Sequence, residues 1–227
     1  MRQIVLDTET TGLSHGDGHK IVEIGCIELS NHVPTGNIFH EYLNPERDVP
    51  EDVVKIHGLT GEFLSTKPVF HSVAHDLLAF IQDSQLIIHN AGFDLGFLNA
   101  ELELVGMLPL NNSVIDTVIM ARKKYPGSSV SLDSLCRRFN IDNSSRTSHG
   151  ALLDSELLAK VYFELIGGSQ PGLSLDVQSV NRSVSIASAS TLKYPLRTFF
   201  PSPEELKAHE EFLNTIVNPI WRRSEIS

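Results

Sequence analysis

Asp7-Thr8-Glu9-Thr10-Thr11-Gly12 follows directly on the apolar run Ile4-Val5-Leu6, and the reading of that junction decides the fold. The apolar run has the length and branched side chains of a buried strand. Alternate residues of a strand point to the same face, so Asp7 and Glu9 project side by side at its C-terminal end. Two adjacent carboxylates repel unless positive charge lies between them. A hard divalent cation such as Mg²⁺, which prefers oxygen ligands, is the usual solution. Gly12 then lets the chain turn. Taken alone, the pair reads equally well as two solvated carboxylates at a strand end, and the rest of the chain has to decide.

Outward from this strand, Ile21–Leu29 alternates apolar with polar or small residues, as a half-buried strand does. Residues 37–43 form a third strand, which completes an antiparallel meander. Pro50-Glu51-Asp52 opens a short helix that Ile56-His57-Gly58-Leu59-Thr60 closes. Residues 69–83 carry Val69, Val73, Leu77 and Phe80 at helical spacing. Leu86-Ile87-Ile88 is apolar throughout and reads as a central parallel strand. The helix after it starts near Gly92, and Asn90 is placed to cap it. Ser113–Asp116 is another strand, and residues 117–124 and 131–139 are short helices. Residues 151–166 form a last amphipathic helix, which Gly167-Gly168 terminates. Strands first, then alternating helices and strands, give an α/β domain with a mixed sheet flanked by helices.

Against that frame four carboxylates stand out: Asp7, Glu9, Asp94 and Asp154. Each lies at the edge of an element rather than on a solvated helix face. Asp94 begins the helix that follows a central strand, where ligand sites form in α/β sheets. Asp154 lies in the first turns of the last helix. Either aspartate alone reads as a partner for a helix dipole; together with the Asp-X-Glu pair, coincidence is a poor account. His149 precedes the last helix by one loop. Five residues correspond to about 500° of helix, so it reaches the side of Asp154 only from that loop. Histidine suits a general base near neutral pH.

Composition narrows the classes. The 227 residues are 41% hydrophobic, enough for one cored domain and an extension. No apolar run approaches ~18 residues and no signal-peptide pattern opens the chain, so a cytoplasmic location and no membrane partner are expected. Cys26 and Cys136 lie in apolar segments and read as buried thiols; no Cys/His spacing fits zinc. The net charge of −10 argues against DNA binding through a broad basic face. Residues 168–227 hold six basic and six acidic residues, so the whole excess belongs to residues 1–167.

Three segments together carry a resemblance: Asp7-Thr8-Glu9-Thr10-Thr11-Gly12, His89-Asn90-Ala91-Gly92-Phe93-Asp94 and His149-Gly150-Ala151-Leu152-Leu153-Asp154. They resemble the three motifs of the DEDDh 3′–5′ exonucleases, in order and with every acid and the histidine present. More narrowly, Ile56–Thr60, Ala121-Arg122-Lys123, Ser131-Leu132-Asp133 and Asp142–Arg146 resemble the proofreading subunits of bacterial replicative polymerases. The resemblance implies a ribonuclease-H-like fold over residues 1–168. It implies two Mg²⁺ or Mn²⁺ ions held by Asp7, Glu9, Asp94 and Asp154, with His149 as the base. The substrate it implies is a DNA 3′ end, and the product a nucleoside 5′-monophosphate. By the same resemblance Asp52 and His57 contact the terminal nucleotide, together with Asp7, Glu9 and Asp154.

Beyond Gly168 the chain becomes rich in serine and poor in large apolar residues, and residues 169–196 read as a flexible linker. Within it Gln170-Pro171-Gly172-Leu173-Ser174-Leu175 resembles the short motif by which bacterial replication proteins bind a sliding clamp, with Gln170, Leu173 and Leu175 filling an apolar groove. Residues 203–217 return to helical character. In residues 197–227, Phe199, Phe200, Phe212, Leu213 and Trp221 are many large apolar groups for a tail without a core, and the polymerase catalytic subunit is the expected partner. Two other readings stay open: a stand-alone exonuclease on RNA or single-stranded DNA, which has no use for such a tail, and a non-catalytic scaffold, which has no use for the acids.

Overall fold

The computed structural model describes residues 1–144, 146, 148–168 and 200–217. The chain separates into two units with the division at Ser174 and Leu175, each described here by itself. Gln170, Leu173, Leu175, Phe199 and Trp221 lie outside the described residues, as does the whole 169–196 segment.

The first unit is built on a five-stranded sheet in the order β3-β2-β1-β4-β5. Strands β1 (Arg2–Thr10), β2 (Ile21–Ser30) and β3 (Val33–Tyr42) form the expected antiparallel meander. Strands β4 (Gln85–Ile88) and β5 (Val114–Asp116) run parallel to β1. The β2–β3 turn is tight: Asn31 and His32 both take positive φ, 50° and 69°, and Ser30 pairs Val33. Two consecutive left-handed residues match the twist of a hairpin, which starts β3 four residues before the expected position.

Helices α1 (Glu51–His57), α2 (Gly61–Leu64), α3 (Phe70–Ile81), α4 (Ala91–Leu104), α5 (Thr117–Lys124), α6 (Leu132–Phe139) and α7 (Ala151–Ile166) complete the unit. They divide the core in two. Ile4, Leu6, Leu86 and Ile88 pack with α3 and α4 on one face, whereas Val5 and Ile87 pack with α5, α6 and α7 on the other. Strand alternation therefore gives β1 two different partners: even positions meet α4, odd positions meet α7.

Strand β2 departs from expectation. It is buried on both faces instead of one, because α7 lies across the face that carries Glu23 and Gly25. A Cβ on Gly25 would collide with the backbone of Ala151 and Leu152, so glycine is what lets the helix start there. The Ser155 hydroxyl donates to the Gly25 carbonyl at 2.9 Å. In the second unit, α8 (Pro203–Leu213) is shorter than the expected 203–217 and opens with a reciprocal cap between Ser202 and Glu205.

Candidate active site

The three motif segments converge at the C-terminal ends of β1 and β4. Asp7, Glu9, Asp94, Asp154 and His149 line one cleft of about 270 Å³, together with Thr8, His89, Asp133 and Arg146. Asp7 and Glu9 share the odd face of β1, the face toward α7. In register, Asp7 stands opposite Gly25 and Glu9 opposite Glu23. The close seat of α7 on Gly25 is what carries Asp154, in that helix's first turn, to the strand pair.

Asp94 arrives from the other side. The Thr8 N–H and hydroxyl both donate to its Oδ1, at 2.9 and 2.7 Å, so the residue between Asp7 and Glu9 ties α4 to β1. Helix α4 is not capped by the Asn90 side chain as the sequence predicts. Asn90 sits at φ 71° without a side-chain cap, a conformation asparagine tolerates better than most residues. The Asp116 carboxylate, at the end of β5, accepts from the N–H groups of Asn90 and Ala91 instead, and also caps α5 through Val118 and Ile119. One aspartate from a neighbouring parallel strand thus fixes two helix starts.

The acids crowd one another. Burial, then the charges of Asp94, Glu9, Asp154 and Glu23, pushes Asp7 well above the usual carboxylate range. Burial, with Asp154 and Glu23, raises Glu9 to about 8, although Arg146 opposes the shift. Burial raises Asp94 to about 7 against the hydrogen bonds from Thr8. Asp94 and Asp154 are 2% and 4% exposed. Such a set is unfavourable by itself and fits a divalent cation in its midst. Ligand atoms of Glu9, His149 and Asp154 lie within 4.8 Å of one another. An all-carboxylate set with at most one imidazole is the donor chemistry of Mg²⁺ or Mn²⁺ rather than of a thiolate-seeking metal.

His149 occupies the coil before α7, as its spacing requires, with its ring 46% exposed and Nδ1 3.4 Å from Asp154 Oδ2. Its N–H donates to the Ile56 carbonyl at 3.0 Å, tying the end of α1 to the cleft. His57 follows Ile56 and is buried; its Nδ1 accepts from the Leu59 N–H at 3.0 Å. Burial, then the neighbouring His149, lowers its pKa, against the Thr10 backbone, so His57 is near both the end of β1 and the candidate base. Asp52 is not brought to this group. It faces solvent on α1, 3.5 Å from Lys55. Thr8, Gly25, Glu23 and Asp116 have no individual signal in the sequence; each meets the site through a partner remote in the chain. Glu23 is buried against Glu9 and meets His40 Nε2 at 2.8 Å.

With this geometry in view, comparison with known proteins is direct. Residues 4–162 match the family model described as exonuclease, of the ribonuclease T type. This chain belongs to that exonuclease family. It is 51% identical to the DNA polymerase III subunit epsilon of Rickettsia felis over 96% of this chain and 97% of the relative. Identity to the same subunit is 46% in Pasteurella multocida, covering 93% and 88%, and 44% in Salmonella typhimurium, covering 97% of each. Among solved structures, the nuclease domain of 3′hExo, a DEDDh family member bound to rAMP, superposes with a TM-score of 0.64 at 18% identity, over 73% of this chain and 91% of that one. Exonuclease X in complex with 5′ overhanging duplex DNA gives 0.58 at 22%, over 72% and 90%. The exonuclease fold is therefore ribonuclease-H-like, and the enzyme is a metal-dependent 3′–5′ exonuclease. Among its described residues no helix is long and apolar enough to cross a membrane.

Proposed function

We propose that this exonuclease is the proofreading subunit of a replicative DNA polymerase and removes single nucleotides from a DNA 3′ end. The observation that carries the reading is the meeting of four carboxylates and one histidine in a single cleft, in a chain whose relatives, matched along nearly their whole length, are named for a polymerase subunit.

Asp7, Glu9, Asp94 and Asp154 would hold two Mg²⁺ or Mn²⁺ ions, which when bound stabilise charge on the phosphoryl oxygens and make water more acidic. The rest falls to the chain. His149 takes the proton of the attacking water from the rim of the cleft. The phosphorus–O3′ bond to the penultimate nucleotide breaks, releasing a nucleoside 5′-monophosphate and leaving a 3′-hydroxyl one position back. His57, near Thr10 and His149, borders the terminal base, and stacking there favours an unpaired end. A substrate role for Asp52 requires DNA to extend across α1.

In this reading residues 1–168 are catalytic, 169–196 link and carry the clamp-binding Gln170, Leu173 and Leu175, and 197–227 bind the polymerase catalytic subunit. Phe200, Leu206, Phe212 and Val217 are all exposed, which supports an apolar partner for the tail. The test is a 5′-labelled primer–template, matched or mismatched at its 3′ end, incubated with Mg²⁺ or with EDTA. A metal-dependent ladder that shortens the mismatched primer faster is expected. Folded protein that cleaves neither substrate with Mg²⁺ would overturn the proofreading reading and leave the scaffold reading standing.

A further inference from the structure

Arg146 is the one guanidinium or ammonium group among the described residues lining the cleft, and its side chain is only 8% exposed. Its Nε and Nη2 donate to the two carboxylate oxygens of Asp154, each at 2.6 Å. Nη1 donates to Asp133 Oδ1 at 2.7 Å. Nη2 also lies 2.7 Å from His149 Nδ1. A guanidinium donates and never accepts, so Nδ1 of His149 supplies its lone pair and the ring proton sits on Nε2. In this arrangement neither nitrogen of His149 can take a proton from water. Both oxygens of Asp154 are equally committed. A single residue therefore occupies a candidate metal ligand and the candidate base at once.

We propose that Arg146 is a positioning residue that works as a latch: an internal cation that holds Asp154 and His149 in an unreactive arrangement and yields Asp154 when a divalent ion loads. The far anchor makes release feasible. Asp133 is 47% exposed and also accepts from Asn143 Nδ2 at 3.1 Å, so Arg146 keeps a charged partner after it leaves Asp154. Arg146 lies on the connection between α6 and α7, not on either helix, so releasing Asp154 does not require α7 to leave its seat on Gly25. Release also frees Nδ1 of His149, so that base activation follows loading without a separate signal. A nuclease whose base is armed only by its own metal is restrained until the site is complete. The inference rests on the metal-binding reading of the carboxylates.

The experiment is calorimetric titration of Mn²⁺ into the full chain as wild type, Arg146→Gln and Asp7→Asn, with the His149 ring nitrogens followed by NMR in the metal-free protein and with Mg²⁺. Arg146→Gln is expected to bind Mn²⁺ about tenfold tighter, the factor lost when an internal competitor closes about nine sites in ten. Wild-type His149 is expected as the Nε2–H tautomer without metal and to lose that preference with Mg²⁺. A fixed structural prop predicts the opposite for affinity: equal or weaker binding in Arg146→Gln, with wild type still binding, overturns the latch alone. Absence of binding in the wild type overturns the metal-site reading and the latch with it. Should Arg146→Gln fail to fold, Arg146→Lys keeps the charge without the two-pronged grip, and a smaller tightening of the same sign is expected; no tightening again overturns the latch.

Discussion

Asp7 shows how much of a site's chemistry is set by what surrounds one residue. Half-buried and facing other carboxylates, it resists ionisation, as do Glu9, at about 8, and Asp94, at about 7. A raised carboxylate pKa means that the native state holds its proton more tightly than the unfolded chain does. The stability this contributes is complete below the ordinary values of 4.5 and 3.8 and is lost as pH rises through about 7 and 8. Metal-free protein should therefore melt at progressively lower temperature as pH rises from about 4 to about 8, the span between the ordinary and the raised values. The rise in melting temperature on adding Mg²⁺ should grow across the same interval, because the ligands must be deprotonated to bind; calorimetric scans in EDTA and in Mg²⁺ check both. Asp7→Asn should abolish cleavage yet stabilise the metal-free protein at pH 8 by about 1 kcal/mol, since it removes one member of a repelling set. Loss of stability in that variant would make Asp7 a structural residue. The acids and His149 were legible in the sequence because they fall together in three short segments at element ends, a combination that helix-dipole partnering of single aspartates does not account for. Thr8, which grips Asp94, was not: a threonine between two acids has no signature until a helix 86 residues further on supplies its acceptor.

At the scale of elements, the helix and strand periods in the sequence place most boundaries within a few residues, and two of the departures share a cause. Capping of α4 falls to Asp116 rather than Asn90, and β2 is buried on both faces rather than one. Each reflects a partner remote in sequence, which no local window contains. Gly25 is the sharpest case, a glycine within a strand whose purpose appears only when α7 is laid across it. Gly25→Ala should lift the start of α7 and cost about 1–3 kcal/mol, as overpacking does. Because Asp154 rides on that helix, turnover should fall well beyond what the lost stability explains. Urea melts beside primer-degradation rates separate the two; equal losses would mean that α7 tolerates the shift.

For the whole molecule, the two units suggest a division of labour that truncation can examine. A chain ending at Gly168 contains the entire sheet, both halves of the core and every residue of the cleft. It should retain metal-dependent exonuclease activity on a single-stranded oligonucleotide within about twofold of the full chain, while losing co-elution with the polymerase catalytic subunit in gel filtration. Retained co-elution would place the polymerase contact on the nuclease unit. The apolar excess of the tail was legible from composition alone.

The two-sided arrangement of β1 also bears on how this gene can change. Parity along the strand assigns Asp7 and Glu9 to the α7 side and Thr8 to the α4 side. Loss or gain of a single codon between Ile4 and Asp7 would preserve every letter of the acidic motif and still exchange its faces, presenting the acids to α4 and the threonine to α7. Substitution can explore this strand one residue at a time, but length cannot vary by one. Drift in length should therefore collect in the turn after Gly12 and in the connection before α7, with the interval from Ile4 to Glu9 held rigid in frame and count.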